Sequence, residues 1–410
     1  MDTIVFVSAN KTGSSRDALK AAKRLGFQTI LLTDKPHFMD HHKDFSEVDQ
    51  IILTNLRDFD VLRGKIMELQ RSGSVIKAIM SFIDPFVHTS AALAEEFCQT
   101  GVPSKPIRYM EDKVLTRSLL SHLSVSPYYQ IYNPENPMEP FVNLQEEQFP
   151  LIVKSPSSAG SRDVLLANNR SQLYLSLKEL LAKYENKPIL VEKFLSGPQY
   201  LIEVVVYNGN INVVAIIEQE VTFFKRFIIT GYCLLPEVDK PFYDDLYKSI
   251  QAIVQAFQME NGACHLEMRL VDNEWKLIEA NPRIAGSAMN RIIEIGCGIK
   301  LVEETIQLFL GNKPNLTKKH SKFVYAHYFT VETEGKLLSV SGDMEASKSP
   351  GVEEVFIKSR VGKAVRPPIR MGDRYGYVIA SSKNKEDAKR IALEAAQKVH
   401  FEISTKIKEN

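Results

Sequence analysis

Along residues 1–110, short apolar runs alternate with amphipathic segments. "TIVFVSA", "QTILLTD", "DQIILT" and "IKAIMSFID" are apolar runs of strand length. Between and after them, "SRDALKAAKRLG", "FDVLRGKIMELQRSG" and "HTSAALAEEFC" carry apolar residues at helical spacing. Strands alternating with helices predict a doubly wound parallel sheet. Such sheets bind ligands beyond the carboxyl ends of their strands, so "SANKTGSS" and "SFIDPF" are candidate substrate loops.

The pattern changes after about residue 110. A helix, "EDKVLTRSLLSHL", leads into the proline-rich "YNPENPMEPF", and "FPLIVKSPSSAGSRDVLLA" then reads as two strands around a small-residue loop. The strands of "PILVEKFLSGPQYLIEVVVYNGNINVVAIIEQE" are joined by short turns, which predicts antiparallel pairing. In "CHLEMRLVDNEWKLIEANPRIAGS", Leu266, Met268 and Leu270 alternate with His265, Glu267 and Arg269, the pattern of a half-buried strand entering a hairpin. With "DNE" as the loop, Glu267 falls opposite Glu279 and His265 opposite Asn281. Further strands and a closing helix follow. The expected organisation is an α/β domain over 1–110, an α+β region over 111–315 with a small lid at about 125–195, and a C-terminal α+β domain over 316–410.

Composition adds exclusions. The chain is 44% hydrophobic and 25% charged with a formal net charge of +1, and it has no block of basic residues. Neither a nucleic acid nor an anionic membrane is therefore expected as a partner. No apolar stretch approaches the roughly 20 residues that span a bilayer, and the amino terminus lacks the features of a signal peptide. Four scattered cysteines without metal or redox spacing point to reduced thiols. Cytoplasmic location is the expectation.

Three stretches could carry chemistry. Like charges directly opposed in a sheet destabilise it, so Glu267 and Glu279 call for a cation between them. Mg²⁺ takes oxygen ligands, commonly one or two carboxylates together with substrate phosphates. In "VKSPSSAGSRDV", small residues would let backbone N–H groups approach a polyphosphate while Lys154 supplies a point charge. In "ILVEKFLSG" a strand leaving its sheet exposes backbone groups that could read a purine edge. Singly, each has an ordinary alternative: solvated acids, a plain hairpin loop, a plain strand end.

Together, a helix lysine, a strand lysine with its small-residue loop, "VEKFL", and an acid followed by "IEANPRIAGS" resemble the ATP-grasp superfamily of carboxylate–amine ligases, over about residues 110–310. Among these the chain looks most like the bacterial L-amino-acid ligases. The resemblance implies an ATP-grasp fold behind a pre-ATP-grasp domain, with ATP and Mg²⁺ (or Mn²⁺) as cofactors. It implies two free L-amino acids as substrates, an apolar one and a small one, joined through an acyl phosphate; a homodimer stays open. By position, Lys113 and Lys154 would contact phosphates, and Ser155, Ser158, Gly160 and Ser161 would form a loop over them. Glu192, Lys193 and Leu195 would present adenine contacts, partly through backbone, and Gln199 would stand where many relatives carry a ribose-binding Glu. Glu267, Glu279 and Asn281 would hold the metal, Arg283 would stabilise the transferring phosphoryl group, and the Gly286 N–H would donate to an oxyanion. Asp84, Pro85, Arg226 and Ser287 are the implied substrate residues, with Arg226 in the place of an expected His. The competing readings are an ATP-grasp carboxylase or purine-pathway ligase, and a nucleotide-binding regulator without turnover.

Overall fold

The computed structural model describes residues 1–40, 45–135, 144–155, 163–185, 187–224, 226–358 and 360–404. Its first part is β1 (Asp2–Val7), α1 (Ser14–Arg24), β2 (Gln28–Thr33), α2 (His37–Asp40), β3 (Gln50–Leu53), α3 (Phe59–Arg71), β4 (Val75–Met80) and α4 (Phe86–Phe97). The strands pair in parallel in the order β3-β2-β1-β4. Alternate residues of each strand bury on opposite faces, as a sheet covered on both sides requires. Val5, Val7, Ile30 and Leu32 meet Leu62 and Ile66 of α3, whereas Ile4, Phe6 and Leu31 meet Leu19 of α1.

Two short helices, α5 (Ser104–Glu111) and α6 (Lys113–Leu120), follow. The sequence predicts the second of these from Glu111 and does not predict the first; Asp112 separates them, its backbone extended and its carboxylate accepting the N–H groups of Val114 and Leu115. That cap starts α6 at Lys113. The lid is the antiparallel sheet β5-β8-β6-β7, from β5 (Tyr129–Tyr132), β6 (Leu151–Lys154), β7 (Val164–Ala167) and β8 (Ile189–Lys193), with α7 (Arg170–Lys183) packed on it. A link through Gly197 leads back to the main sheet; its φ is +149° and a Cβ there would meet the Leu270 carbonyl oxygen at 2.1 Å, so only glycine fits.

The main sheet has eight strands in the order β13-β12-β9-β10-β11-β14-β18-β16. These are β9 (Gln199–Tyr207), β10 (Asn210–Phe223), β11 (Phe227–Leu235), β12 (Gly262–Val271), β13 (Glu274–Asn281), β14 (Phe323–Tyr328), β16 (Val352–Ile357) and β18 (Gly376–Ser382). Helix α8 (Lys240–Ala256) covers one face, where Trp275 packs edge-on against Tyr200 and Phe242. Helices α9 (Met289–Cys297) and α10 (Leu301–Phe309) lie on the other, in one core shared with the parallel-sheet domain. The C-terminal stretch, set apart by the sequence reading, supplies three strands of this sheet, because β14 pairs with β11 where an open edge would otherwise remain. Its β15 (Gly335–Ser341), β17 (Ala364–Val365) and β19 (His400–Ser404) make a separate three-stranded sheet, with α11 (Asp343–Ser347) and α12 (Lys385–Ala396) nearby. Among the described residues no helix is long and apolar enough to cross a membrane.

Candidate active site

The hairpin β12–β13 places its acids as the alternation predicts: Glu267 pairs with Glu279, and His265 with Asn281. The route differs. The turn is Asp272–Asn273 alone, both at positive φ, and the register recovers by a bulge that leaves Ile278 without a partner. The Ile278 carbonyl oxygen instead accepts from Arg117 Nη2 at 2.8 Å and from Lys154 Nζ at 3.4 Å. The bulge thus ties the acidic hairpin to the lid and to α6.

Glu267 is pushed up to about 7, first by burial and then by the charge of Glu279. Glu279 is approached by Lys113 Nζ at 3.2 Å. Two carboxylates at one register position suit a hard cation with oxygen ligands. Among the described residues no group of three or more His, Cys, Asp or Glu gathers for a metal. A pair of acids whose remaining ligands come from phosphates fits that composition, and Asn281 is at hand as a further oxygen. His265 is held neutral, its value pushed down to about 4 by burial and by Arg283, so its Nδ1–H donates to the Arg283 carbonyl oxygen at 3.0 Å.

A cavity lies between lid and main sheet, lined by Lys113, Lys154, Glu192, Leu195, Gln199, Glu267 and Glu279, together with apolar Ile152, Val221, Phe227 and Met371. With Lys193, which also lines it, eight residues expected at the nucleotide and metal thus converge from six elements and the link after β8. Ser155 is buried beside Lys154, while Ser158, Gly160 and Ser161 lie outside the described residues.

Other residues depart from their expected roles. The Glu192 side chain does not face a purine: it is buried in ion pairs with Arg117 and with Lys154, the latter at 2.6 Å. Only its backbone is left for a base. Lys193 Nζ is likewise engaged, donating to the carbonyls of Glu147, Gln148 and Phe149 at 3.0–3.1 Å. Gln199 Oε1 accepts from Arg269 at 2.9 Å, and its amide N–H donates to Gln219 at 2.7 Å. Arg226 projects from the β10–β11 hairpin to the lid, where it donates to Val164 O at 3.3 Å and approaches Glu179 at 3.7 Å. It does not line this cavity, because the long hairpin carries it outward. Phe86 packs on the parallel-sheet core and Pro85 is exposed, and neither lines the cavity. Asp84 does reach the site: its Oδ2 accepts from Arg283 Nε at 3.0 Å and from Nη2. A Cβ at Gly286 would meet nothing within 4 Å, so the space in front of it is open.

Arg117 is the residue that sequence reading missed. It is 2% exposed and carries both Glu192 and Ile278. Its signal is its place one turn after Lys113, on the same helix face. Burial pushes Lys154 down, and Glu192 opposes that shift. Arg117→Met would leave Glu192 with one cation. Removing one partner of a buried pair typically costs roughly 3–5 kcal/mol; since Lys154 stays, a loss at the lower end is expected in urea unfolding, with a raised KM for ATP. Wild-type values for both would show that Arg117 does not hold this cluster.

Glu203, opposite His265 on β9, is fully buried and accepts the Ala285 N–H at 3.1 Å. Burial pushes its carboxyl up to about 8. An unfolded Glu titrates near ~4.3, so the native state binds the extra proton between those values. Its stability contribution is then present below the unfolded value and is lost as pH rises towards 8. Glu203→Gln should therefore gain stability over wild type progressively between pH 5 and pH 8, read as the difference in urea midpoint. A difference independent of pH would mean that Glu203 is already ionised.

The chain matches an ATP-grasp N-terminal domain over residues 19–97, an ATP-grasp domain over 147–291 and L-amino acid ligase C-terminal domain 2 over 327–404. It is 26% identical to the uncharacterized protein y4rH of Sinorhizobium fredii, over 98% of this chain and 84% of that protein. It is 23% identical to an L-arginine-specific L-amino acid ligase of Bacillus subtilis, over 77% of each. The crystal structure of an L-amino acid ligase from Bacillus licheniformis superposes with a TM-score of 0.83 at 20% identity, covering 99% of both chains.

Proposed function

Because the chain is an ATP-grasp protein carrying an L-amino acid ligase C-terminal domain, we propose that it is an ATP- and Mg²⁺-dependent ligase joining two free L-amino acids into a dipeptide. The observation that carries this reading is the convergence of Lys113, Lys154, Glu267 and Glu279 on one cavity, with Arg283 just beyond the metal hairpin. A carboxylate oxygen of the first amino acid attacks the γ-phosphorus and ADP leaves. The amine nitrogen of the second then attacks the acyl carbon, the C–O bond to phosphate breaks, and the nitrogen loses a proton. Lys113 and Lys154 hold and neutralise the phosphates, and Arg283 stabilises the charge on the transferring group. Glu267, Glu279 and Asn281 would hold Mg²⁺, which supplies further charge neutralisation. The resemblance to L-amino-acid ligases supports an apolar first substrate and a small second one. The test is phosphate release across all pairs of the common amino acids, with product masses. ADP and phosphate released with a dipeptide mass are expected; turnover only with bicarbonate or a ribonucleotide amine would overturn the reading.

A further inference from the structure

A second cavity of about 620 Å³ opens between the parallel-sheet domain and the C-terminal strands. Eight cationic side chains line it against four acidic ones. Three of the acids are ion-paired: Glu303 pairs with Arg24 at 2.7 Å, and Glu294 and Glu354 share Arg291, each at 3.1 Å. The fourth, Asp17, stands among Lys20, Arg24 and Arg16. On the wall formed by the C-terminal strands the balance is different. Arg374 is 7% exposed and donates to the carbonyls of Met371 and Ile229, each at 3.2 Å, with the Tyr232 hydroxyl also close; its guanidinium lies 3.9 Å from the Tyr328 ring centre. Half-buried Lys358 donates to the Arg374 carbonyl oxygen at 2.8 Å. Among the described residues no carboxylate lies within ion-pair distance of either. The nearby Asp373 is held by Arg366 and Arg370. Burial and the charge of Arg374 push Lys358 down from the usual lysine value. Two adjacent cations withdrawn from water without an acid are costly unless an anion joins them.

The cleft adjoins the reaction site. Met371 lines the nucleotide cavity and Arg374 lines the basic one, so a single turn separates the two. Ser287, on the loop that follows Arg283, also lines the cleft, and its Oγ is 2.8 Å from the Tyr328 hydroxyl. Gly13, which opens α1, packs against the same loop: a Cβ on it would stand 3.5 Å from Ser287 N.

We propose that this cleft takes the amine substrate, and that this substrate is an acidic amino acid with a second anionic group, a carboxylate or a phosphate, beyond its α-carboxylate. The proposal rests on the ligase reading and narrows its small second substrate to a dianion. A neutral amino acid offers one anion, which Arg374 and Lys358 together already match. The remaining cationic excess, with Lys11 and Lys20 on the opposite wall, is complementary to a second.

Two measurements test this and keep it separate from the ligase reading. In the first, ATP-dependent phosphate release is followed with one fixed carboxylate donor and glycine, L-alanine, L-aspartate, L-glutamate or O-phospho-L-serine as amine. An acidic amine is expected to exceed glycine and alanine in kcat/KM by at least about tenfold, as one charge-assisted hydrogen bond supplies. Aspartate or glutamate leading would assign a carboxylate, and phosphoserine a phosphate. In the second, the same amines are titrated without ATP and the rise in Tm is recorded for wild type, Lys358→Gln and Lys358→Arg. The shift with the preferred acidic amine should shrink in Lys358→Gln and return in Lys358→Arg, while the shift with ATP stays the same in all three. Turnover with neutral amines equal to or above that with acidic ones overturns the acidic substrate and leaves the ligase intact. An acidic-amine shift unchanged in Lys358→Gln overturns the cleft as its site. Phosphate release with no amine at all would sink the ligase reading instead.

Discussion

Glu279→Gln is expected to lower ADP release by at least about 10²-fold, the scale of losing one transition-state electrostatic element, with the fold intact. Gln has nearly the volume of Glu, and the Glu279 side chain is about a quarter exposed, so little packing is disturbed. Three electrostatic consequences follow from the geometry. Lys113 loses its carboxylate partner. Glu267 loses the like charge opposite and falls from its raised value. A cation held between the acids loses one of two charged ligands. The third is specific to a metal role, so the variant should also need far more Mg²⁺ for half-maximal turnover, and chelation should abolish wild-type turnover. If Glu279 served only to position Lys113, Glu279→Gln would keep near-wild-type rates at saturating Mg²⁺.

The hairpin shows what a sequence can and cannot reveal here. Period-2 alternation was enough to place Glu267 opposite Glu279. The turn was read one residue too long, and the error cancelled because a bulge at Ile278 restored the register before the acids. Local patterning carries no signal for a bulge. The residues that line the cavity are legible because several sit at strand or helix ends, where a lysine after an apolar run stands out. The side-chain pairing of Glu192 is illegible for a physical reason: its partner Arg117 is distant in sequence, and only the fold shows that the carboxylate is already ion-paired. The same holds for the C-terminal segment. Nothing in "FVYAHYFTVE" says that it will pair with β11, or that the turn at Met371 will bring Arg374 to the cleft. Arg226 failed in the opposite way. It was aligned by local motif, yet the long β10–β11 hairpin carries it to the lid.

Arg283→Ala should lower kcat by about 10²–10³-fold, as expected for a donor aimed at charge that develops during transfer, and should change KM for ATP little. Arg283 stands just after Asn281 and is held by Asp84 through two hydrogen bonds to one carboxylate oxygen. Its Nη1 also donates to the Ile284 carbonyl at 3.3 Å, so the side chain is anchored at both ends of its guanidinium. Asp84 lies in the loop after β4, at the carboxyl end of the parallel sheet, and the pair therefore links that domain to the metal hairpin. Two roles are conceivable for such a link, and kinetics separates them. A docking role would make Arg283→Ala lose stability and raise KM for an amino acid at nearly constant kcat. A phosphoryl-stabilising role would lower kcat at nearly constant Tm. Arg283→Lys sharpens the contrast, since a lysine can still pair with Asp84 but cannot present the planar fork that a phosphoryl group engages in bidentate fashion. A Tm close to wild type in both variants, with kcat still depressed in Arg283→Lys, is the expected result. Recovery of kcat in Arg283→Lys would mean that any cation at this position suffices and that the guanidinium has no special part in the transfer.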